Sequence, residues 1–283
     1  MRLLTAIVVA LSLAVVACGE DEEEEPAAQS TPATDACAKD QLQTFKDGVL
    51  TVGTDKPAFP PYFIDDDPTN GEGFESAVAY AIAREMGFEE AAVEWTVVPF
   101  NASYRPGPKD FDFDVNQISI TPARARRVDF SDPYYTAPQA VIAAKGSPAA
   151  DAASLADLKD VTIGVQIGTT SLDAVSASIQ PSEQPKVFDD SNAVVTAIKQ
   201  DQVDAVVVDL PTALFLTAVE LPSASVIGQF DAPGGDEWGA LLEKDSPLTP
   251  CVNEAIATLT ESGELDEITQ QWMSESADAP VLQ

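Results

Sequence analysis

"VTIGVQIGTTSLDAVSASI" (161–179) contains a strand, a glycine turn and a helix in direct succession, and this unit decides the fold. Its first half is rich in β-branched residues and ends at Gly168, which is typical of a strand that enters a tight turn. The second half predicts a helix that opens on that turn. Backbone N–H groups at such a helix start favour an anion. A nucleotide P-loop is excluded, because no lysine follows the glycine at the required spacing.

The same alternation of strands and helices runs along the rest of the chain. "GVLTVGTD" (48–55) and "VDAVVVD" (203–209) predict strands, and "FESAVAYAIAREMG" (74–87) predicts an amphipathic helix that stops at Gly87. This alternation indicates an α/β protein with largely parallel sheets. The other expected elements are strands at 92–100 and 115–119, an irregular segment at 101–114, and helices at 154–160, 192–200, 248–262 and 265–273.

The composition excludes several classes of function. A chain of 283 residues can form one large or two small domains. Asp and Glu outnumber Lys and Arg by 47 to 15, and the net charge of −32 argues against nucleic-acid binding, which needs a basic surface. The chain has no histidine, so imidazole metal sites and histidine-based catalytic triads are excluded. We expect no cofactor, no metal and no nucleic-acid partner.

The N-terminal segment has the features of an export signal. An apolar stretch, "LLTAIVVALSLAVVA" (3–17), follows a single arginine and predicts a signal peptide over 1–17. The end of this stretch resembles a bacterial lipobox, which implies cleavage before Cys18 and a diacylglycerol on its thiol. Ordinary cleavage that leaves a free cysteine is the alternative. The following residues, 18–44, are acidic and rich in Pro, Ala, Ser and Thr near their start, and they predict a disordered tether.

The remaining cysteines form an even pair. If Cys18 carries lipid, Cys37 and Cys251 are left in an oxidising compartment. We predict a disulfide between them that ties the start of the folded part to a C-terminal helix.

Several stretches resemble one family when taken in order along the chain. The family is the bacterial extracellular solute-binding proteins of family 3, the substrate-binding lipoproteins of polar amino-acid ABC transporters. The resemblance covers residues 45–275. It rests on "LTVGTDKPAFPPYF", "GFESAVAYAIAREMG", "SITPARARRVDFSDPYY", "VTIGVQIGTTSLDAV", "VDAVVVDLPTALF" and "SGELDEITQQWM".

This resemblance implies a type II periplasmic-binding-protein fold. Two α/β lobes, each with a mostly parallel sheet and flanking helices, would be joined by two hinge strands, with the ligand in the cleft between them. Lobe 1 is expected to be discontinuous, over 45–138 and 231–283. Lobe 2 is expected over 139–230.

The resemblance also assigns the two ends of an amino-acid ligand. The Ser/Thr-x-Thr-x-x-Arg turn implies that Arg124 clamps the α-carboxylate and that Ser119 adds a hydroxyl. Thr170, with Thr169 beside it, faces the same carboxylate from the other lobe. Asp209 would accept the α-ammonium. Its alternative role is a helix N-cap, because Pro211 follows.

The pocket for the ligand side chain is expected from four further residues. Phe59 and Phe100 would sandwich the aliphatic part of the ligand, or else are ordinary core residues. Asp55 and Gln166 favour a polar side chain, neutral or cationic, and disfavour glutamate and aspartate.

Three departures from the family pattern concern the ligand. Ala77 stands where the family usually has a second acid. Gln117 replaces a small residue, so its side chain would either intrude on the pocket or turn outward. Residues 105–109, "RPGPK", interrupt what is usually a helix.

The expected mechanism is hinge closure around the ligand, which shifts the balance of open and closed states. We expect an exported monomer, lipid-anchored to the outer face of the bacterial cell membrane through Cys18, that delivers an amino acid to an ABC permease and is not an enzyme. One alternative is a cyclohexadienyl-dehydratase-like enzyme with Asp55 or Glu75 as its acid. The other is a ligand-sensing partner of a receptor.

Overall fold

A computed structural model describes residues 36–273 and 279–283. The predicted signal peptide, the cysteine predicted to carry lipid and most of the predicted tether therefore lie outside the described residues. The strands are β1 (Leu50–Thr54), β2 (Val93–Val97), β3 (Phe113–Asp114), β4 (Asp129–Thr136), β5 (Gln139–Ala144), β6 (Ile163–Gln166), β7 (Lys186–Phe188), β8 (Ala205–Asp209), β9 (Ala224–Phe230) and β10 (Glu237–Leu242). The α-helices are α1 (Phe74–Glu85), α2 (Phe100–Ser103), α3 (Pro122–Ala125), α4 (Thr170–Ala174), α5 (Ser191–Lys199), α6 (Leu210–Phe215), α7 (Thr249–Ser262) and α8 (Glu264–Met273).

The strands form two separate mixed sheets. The first has the order β2-β1-β3-β10-β4 and the second the order β7-β6-β8-β5-β9. In each sheet the first three strands are parallel, and the last two pair antiparallel with their neighbours. The α/β class is confirmed, and four of the five strands in each sheet run in the same direction, as expected for mostly parallel sheets. The strands that follow each passage between the sheets, β5 and β10, run against their neighbours.

The chain passes between the sheets twice, after β4 and after β9. We call the first sheet with α1, α7 and α8 lobe 1, because their apolar residues share one core. The second sheet with α4, α5 and α6 is lobe 2. Its strand β5 sends Val141 and Ala143 into one core and Ala140 and Ile142 into another. Both faces of this sheet are therefore covered, as expected for alternating side chains on a buried strand.

Helix α1 shows how closely the local pattern sets an element. Phe74, Val78 and Ile82 are buried on one face of the helix. The helix ends one residue before Met86, and Gly87 follows with a φ of 82°, a left-handed conformation that glycine adopts without strain. The predicted stop is confirmed, and α5, α7 and α8 also begin and end within a residue or so of the predicted bounds.

The strand predicted over 115–119 is wrong. The strand in this part of the chain is β3, which ends at Asp114. Gln117 has a φ of 48°, which no extended strand contains. Its backbone N–H donates to the carboxylate of Glu75 at 2.7 Å, and its side-chain amide donates to the same carboxylate. A contact distant in sequence therefore overrides the local apolar–polar alternation.

The two ends of the folded part correct the predicted domain bounds. Residues 36–44, assigned to the disordered tether, contain a short helical turn at Lys39–Gln41 and pack on lobe 1 through Leu42. At the other end, residues 279–283, which the predicted bounds place in lobe 1, extend the second sheet. The N–H of Leu282 donates to the carbonyl of Gln229 at 2.8 Å, because β9 is an edge strand with unpaired backbone groups.

The predicted disulfide is confirmed. Cys37 and Cys251 are joined by an S–S bond at a sequence separation of 214. Cys251 is buried in the lobe 1 core at the start of α7. The bond therefore ties the start of the folded part to a C-terminal helix. Among the described residues, no helix combines the length and the apolar character that a membrane span requires.

Candidate functional site

The candidate site is a cavity of about 410 Å³ between the two lobes. It lies at the carboxyl ends of the parallel strands β1, β6 and β8, the place where open α/β sheets hold ligands. Its volume suits a small molecule. The predicted site residues that line it are Asp55, Phe59, Phe100, Ser119, Gln166, Thr169, Thr170 and Asp209.

Arg124 is the predicted site residue that does not line the cavity. It lies in α3, where Thr121 caps the helix start by accepting from the Arg124 N–H at 3.2 Å. Arg124 is 7% exposed, and its guanidinium donates to the carbonyl of Ser119 at 2.7 Å and to that of Gly168 at 2.9 Å. It therefore joins lobe 1 to lobe 2. These two bonds use only part of the five N–H groups of the side chain.

Aromatic rings hold this guanidinium in place. Its carbon lies 5.4 Å from the ring centroid of Phe100 and 4.9 Å from that of Tyr104. The two rings pack edge to face with centroids 5.7 Å apart. Phe100 thus supports Arg124 in addition to lining the cavity. Burial lowers the pKa of Arg124, and the charges of nearby acids oppose this shift, so the group stays cationic.

Two hydroxyls meet across the cleft at the predicted carboxylate site. Ser119 Oγ of lobe 1 lies 3.2 Å from Thr170 Oγ1 of lobe 2. Thr170 begins α4, and Thr169 caps that helix by accepting from the N–H of Leu172 at 3.3 Å. Gly168 precedes them with a φ of 77°, and a Cβ at this position would lie 2.5 Å from the hydroxyl of Tyr104. The close approach of the lobes at this turn requires glycine.

Asp209 lies at the end of β8, on the lobe 2 wall of the cavity. Pro211 follows in the first turn of α6, yet the Asp209 side chain makes no capping bond. Its Oδ1 instead accepts from Nε2 of Gln139 at 2.6 Å. Because its side chain makes no capping bond, Asp209 does not act as the N-cap of α6 through its carboxylate. Burial and the charge of Asp236 raise the pKa of Asp209 well above its ordinary value, and Arg124 opposes this rise.

Asp55 and Gln166 both line the cavity but are already bonded to the chain. Asp55 follows β1, and its carboxylate accepts from the N–H of Lys56 at 2.7 Å and from the N–H of Phe100 at 3.1 Å. Gln166 Oε1 accepts from the hydroxyl of Ser191 at 2.7 Å. Each retains further hydrogen-bonding capacity, because a carboxylate offers about four acceptor sites and an amide nitrogen two donors.

Phe59 and Gln117 complete the predicted environment. The ring of Phe59 lies 6.4 Å from that of Phe215, which belongs to lobe 2. Gln117 lines the cavity, but its side chain turns into lobe 1 toward Glu75 rather than into the pocket or outward. Burial raises the pKa of Glu75 to about 7, although hydrogen bonds from Tyr134 and Gln117 oppose the rise.

Sequence reasoning missed two residues that connect the parts of the site. Gln139 is the first residue of β5 and is fully buried, and Asp236 precedes β10 and is 2% exposed. Nε2 of Gln139 donates to Asp209 and, at 2.5 Å, to Asp236. Both lie at the two passages between the lobes. Gln139 stands at the predicted boundary between the lobes, which is the signal that could have found it, whereas Asp236 lies within the predicted second part of lobe 1.

The comparisons with known proteins agree with this architecture. The model of a family described as bacterial extracellular solute-binding proteins, family 3, matches residues 50–275. The arginine-binding extracellular protein ArtP of Bacillus subtilis is 30% identical over 230 residues, which are 80% of this chain and 86% of ArtP.

Solved structures extend the likeness to the fold. The structure of an ancestral arginine-binding protein bound to glutamine has a TM-score of 0.68 at 30% identity and covers 81% of this chain and 99% of its own. That of the ancestral amino-acid-binding protein AncCDT-1, a precursor of cyclohexadienyl dehydratase, has a TM-score of 0.64 at 28% identity and covers 80% and 95%. The predicted two-lobe type II fold is confirmed.

Proposed function

Because the chain belongs to family 3 of the bacterial extracellular solute-binding proteins, we propose that it binds a polar α-amino acid between its lobes and delivers it to an ABC permease. The observation that carries the proposal is the cavity itself. A carboxylate, Asp209, lies on one wall, and the paired hydroxyls of Ser119 and Thr170 lie beside the Arg124 guanidinium. An α-amino acid carries one positive and one negative group at a fixed separation and matches such a site.

The groups that would bind the α-carboxylate of the ligand come from both lobes. Ser119 and Arg124 come from lobe 1, whereas Thr170 comes from lobe 2. Only a closed arrangement brings these groups to one ligand, so ligand binding favours closure by the difference in affinity between the open and closed states. Charge-assisted bonds at both ends of the ligand give an expected affinity of micromolar or better, about −8 kcal/mol.

The charge of the cavity wall favours a neutral or cationic side chain on the ligand. The acidic residues that line the cavity are Asp55, Asp189, Asp190 and Asp209, against Lys56 alone on the basic side. Lys56 is moreover paired with Asp66 at 3.1 Å. A second carboxylate on the ligand would meet uncompensated negative charge. The relatives with arginine and glutamine in their names are consistent with this ligand class.

An enzyme on the same fold is the second candidate, and the AncCDT-1 likeness is the observation that favours it. The acids considered for it have other tasks. Asp55 accepts two backbone N–H bonds, and Glu75 is fully buried with Tyr134 and Gln117 as partners. A general acid must reach the proton it transfers. Turnover of a cyclohexadienyl acid by the purified protein would decide for the enzyme.

We propose further that the mature protein is a monomer anchored to the outer face of the bacterial cell membrane by lipid on Cys18. The support is the lipobox-like sequence that ends at this cysteine. We expect the mature N-terminal peptide to begin at Cys18 with the mass of a diacylglyceryl group, and Cys18→Ala to move the protein from the membrane to the soluble fraction. An unmodified thiol in the mature peptide would contradict the anchor.

A thermal-shift screen tests the binding function. The mature protein, unfolded and refolded to remove co-purified ligand, is heated with each of the twenty amino acids, ornithine, citrulline and several organic acids. A ligand present at about 100 times its Kd adds about 2.7 kcal/mol, and the Tm should then rise by roughly 5–11 °C. We expect shifts with polar neutral or cationic α-amino acids. Shifts only with acids that lack an α-amino group would refute the proposal.

A further inference from the structure

Asp236 lies in the second passage between the lobes, immediately before β10, and is 2% exposed. Its Oδ2 accepts from Nε2 of Gln139 at 2.5 Å and from Oγ1 of Thr170 at 3.1 Å. Thr170 Oγ1 lies in turn 3.2 Å from Ser119 Oγ. Ser119 bonds to Asp236 as well, so both hydroxyls contact this hinge carboxyl group and each other. Both hydroxyls also lie at the proposed position of the ligand carboxylate.

The protons of the Thr170 and Ser119 hydroxyls depend on the charge of Asp236. A hydroxyl has one proton to donate. When Asp236 is ionised, it can only accept, so Thr170 and Ser119 both direct their O–H groups toward it. When Asp236 is neutral, its O–H can donate to Thr170, which frees the Thr170 proton for Ser119 or for a ligand carboxylate. The charge state of one hinge residue therefore sets the direction of both hydroxyls.

We propose that Asp236 is a positioning residue that acts through Thr170 and Ser119 and that a ligand carboxylate binds when Asp236 is neutral. This inference rests on the proposed amino-acid-binding function and adds a determinant of its affinity and pH dependence. An ionised Asp236 would both withdraw the hydroxyl protons and repel the ligand carboxylate.

The groups around Asp236 fit this role. Burial raises its pKa, whereas the bonds from Ser119, Thr170 and Gln139 and the charge of Arg124 lower it. Asp209 on β8 is linked to Asp236 through the Gln139 amide, which donates to both carboxylates. Other charged groups act on the neighbours of Asp236 rather than on Asp236 itself. Glu75 and Tyr62 interact with Asp209, and the exposed Asp173 on α4 interacts with Arg124.

The sign of the pH dependence follows from the ligand charges. The ligand carboxylate raises the pKa of Asp236, so Asp236 takes up a proton on binding and affinity falls as pH rises through this interval. The ligand ammonium lowers the pKa of Asp209, so that group contributes the opposite slope. Asp236→Asn removes the first contribution and, because the charge of Asp236 raises the pKa of Asp209, shifts the second contribution to lower pH. The ratio of the wild-type Kd to the Asp236→Asn Kd should therefore rise with pH, by about tenfold for each unit of pKa change.

Isothermal titration with L-arginine and L-glutamine, from about pH 5 to about pH 9, measures this ratio. The amide that Asp236→Asn introduces would keep an acceptor for Gln139 and place a donor toward Thr170, so we expect folding to be retained. Asp173→Asn is the matched control, because it removes one acid near Arg124 but leaves the Thr170 and Ser119 hydroxyls in place. The ratio of the wild-type Kd to the Asp173→Asn Kd should not change with pH. Thr170→Val removes one of the two hydroxyl bonds to Asp236 and thereby raises the pKa of Asp236, so the alkaline loss of affinity should move to higher pH in that variant.

The outcomes separate the inference from the proposed function. A wild-type to Asp236→Asn ratio that is constant across the pH range would overturn the inference and leave amino-acid binding intact, since a purely structural hydrogen bond weakens binding equally at every pH. If neither protein binds either probe and no α-amino acid raises the Tm in the screen, both the proposed function and the inference fail.

Discussion

Arg124→Ala is expected to weaken the binding of an α-amino acid by roughly 30- to 5,000-fold, because truncating one partner of a buried charged pair costs about 2–5 kcal/mol. The guanidinium is fixed between Phe100 and Tyr104 and joins the lobes through the carbonyls of Ser119 and Gly168. Its loss would remove both the proposed carboxylate partner and a contact that favours closure. Titration calorimetry with the amino acid that gives the largest thermal shift measures the change.

Arg126→Ala is the matched control for this prediction. Arg126 lies at the end of the same turn, and its guanidinium is exposed and, among the described residues, donates only to the nearby carbonyl of Pro122 at 3.0 Å. We expect its Kd to stay within about twofold of the wild-type value, since exposed charges contribute little. Arg124→Lys should lie between the two, because lysine keeps the charge but not the planar fork of donors. Equal affinities for Arg124→Ala and Arg126→Ala would remove Arg124 from the site.

The local sequence pattern was enough to predict the elements whose buried residues follow a simple local pattern. α1 buries Phe74, Val78 and Ile82 on one side, and β8 is a run of β-branched residues that is closed by an acid. Hydrophobic periodicity and a terminal glycine carry this information within a dozen or so residues. The motif residues at the ends of these elements could therefore be predicted to face the cleft.

Elements that depend on distant partners escaped prediction. β10 contains Trp238 and Leu242 and is buried at every position after its first, so it has an apolar run with no alternation. Periodicity alone cannot distinguish such a run from part of a helix. The strand predicted at Gln117 is wrong for the opposite reason. It alternates like a strand but bends to meet Glu75, a buried acid 42 residues earlier in the chain.

The connections of the site could not be read from the sequence for a related reason. Gln139 and Asp236 are 97 residues apart, and they become neighbours only because both passages between the lobes lie side by side. Nothing near either residue in sequence signals the other. The charge of the site, by contrast, was partly visible, since Arg124 and Asp209 belong to recognisable local patterns. The family resemblance supplied their pairing across the cleft.

Removing the disulfide, through Cys37→Ala with Cys251→Ala, is expected to lower the free energy of unfolding by about 2–5 kcal/mol and the Tm by roughly 5–15 °C. The bond closes a loop of 214 residues in sequence separation, which the chain-entropy account makes strongly stabilising. It also fixes the start of the folded part to α7, whose buried face belongs to the lobe 1 core. Urea unfolding of the purified protein measures the change.

Two controls make the disulfide prediction specific. Cys18→Ala leaves the bond intact and should not move the urea midpoint, whereas reduction of the wild-type protein should reproduce the double variant. No residue of α7 lines the cavity in the described part of the chain, so the double variant should keep its amino-acid Kd at temperatures where it is folded. An unchanged midpoint would mean that packing of lobe 1 alone holds the start of the folded part, and a changed Kd would mean that this region couples to the cleft.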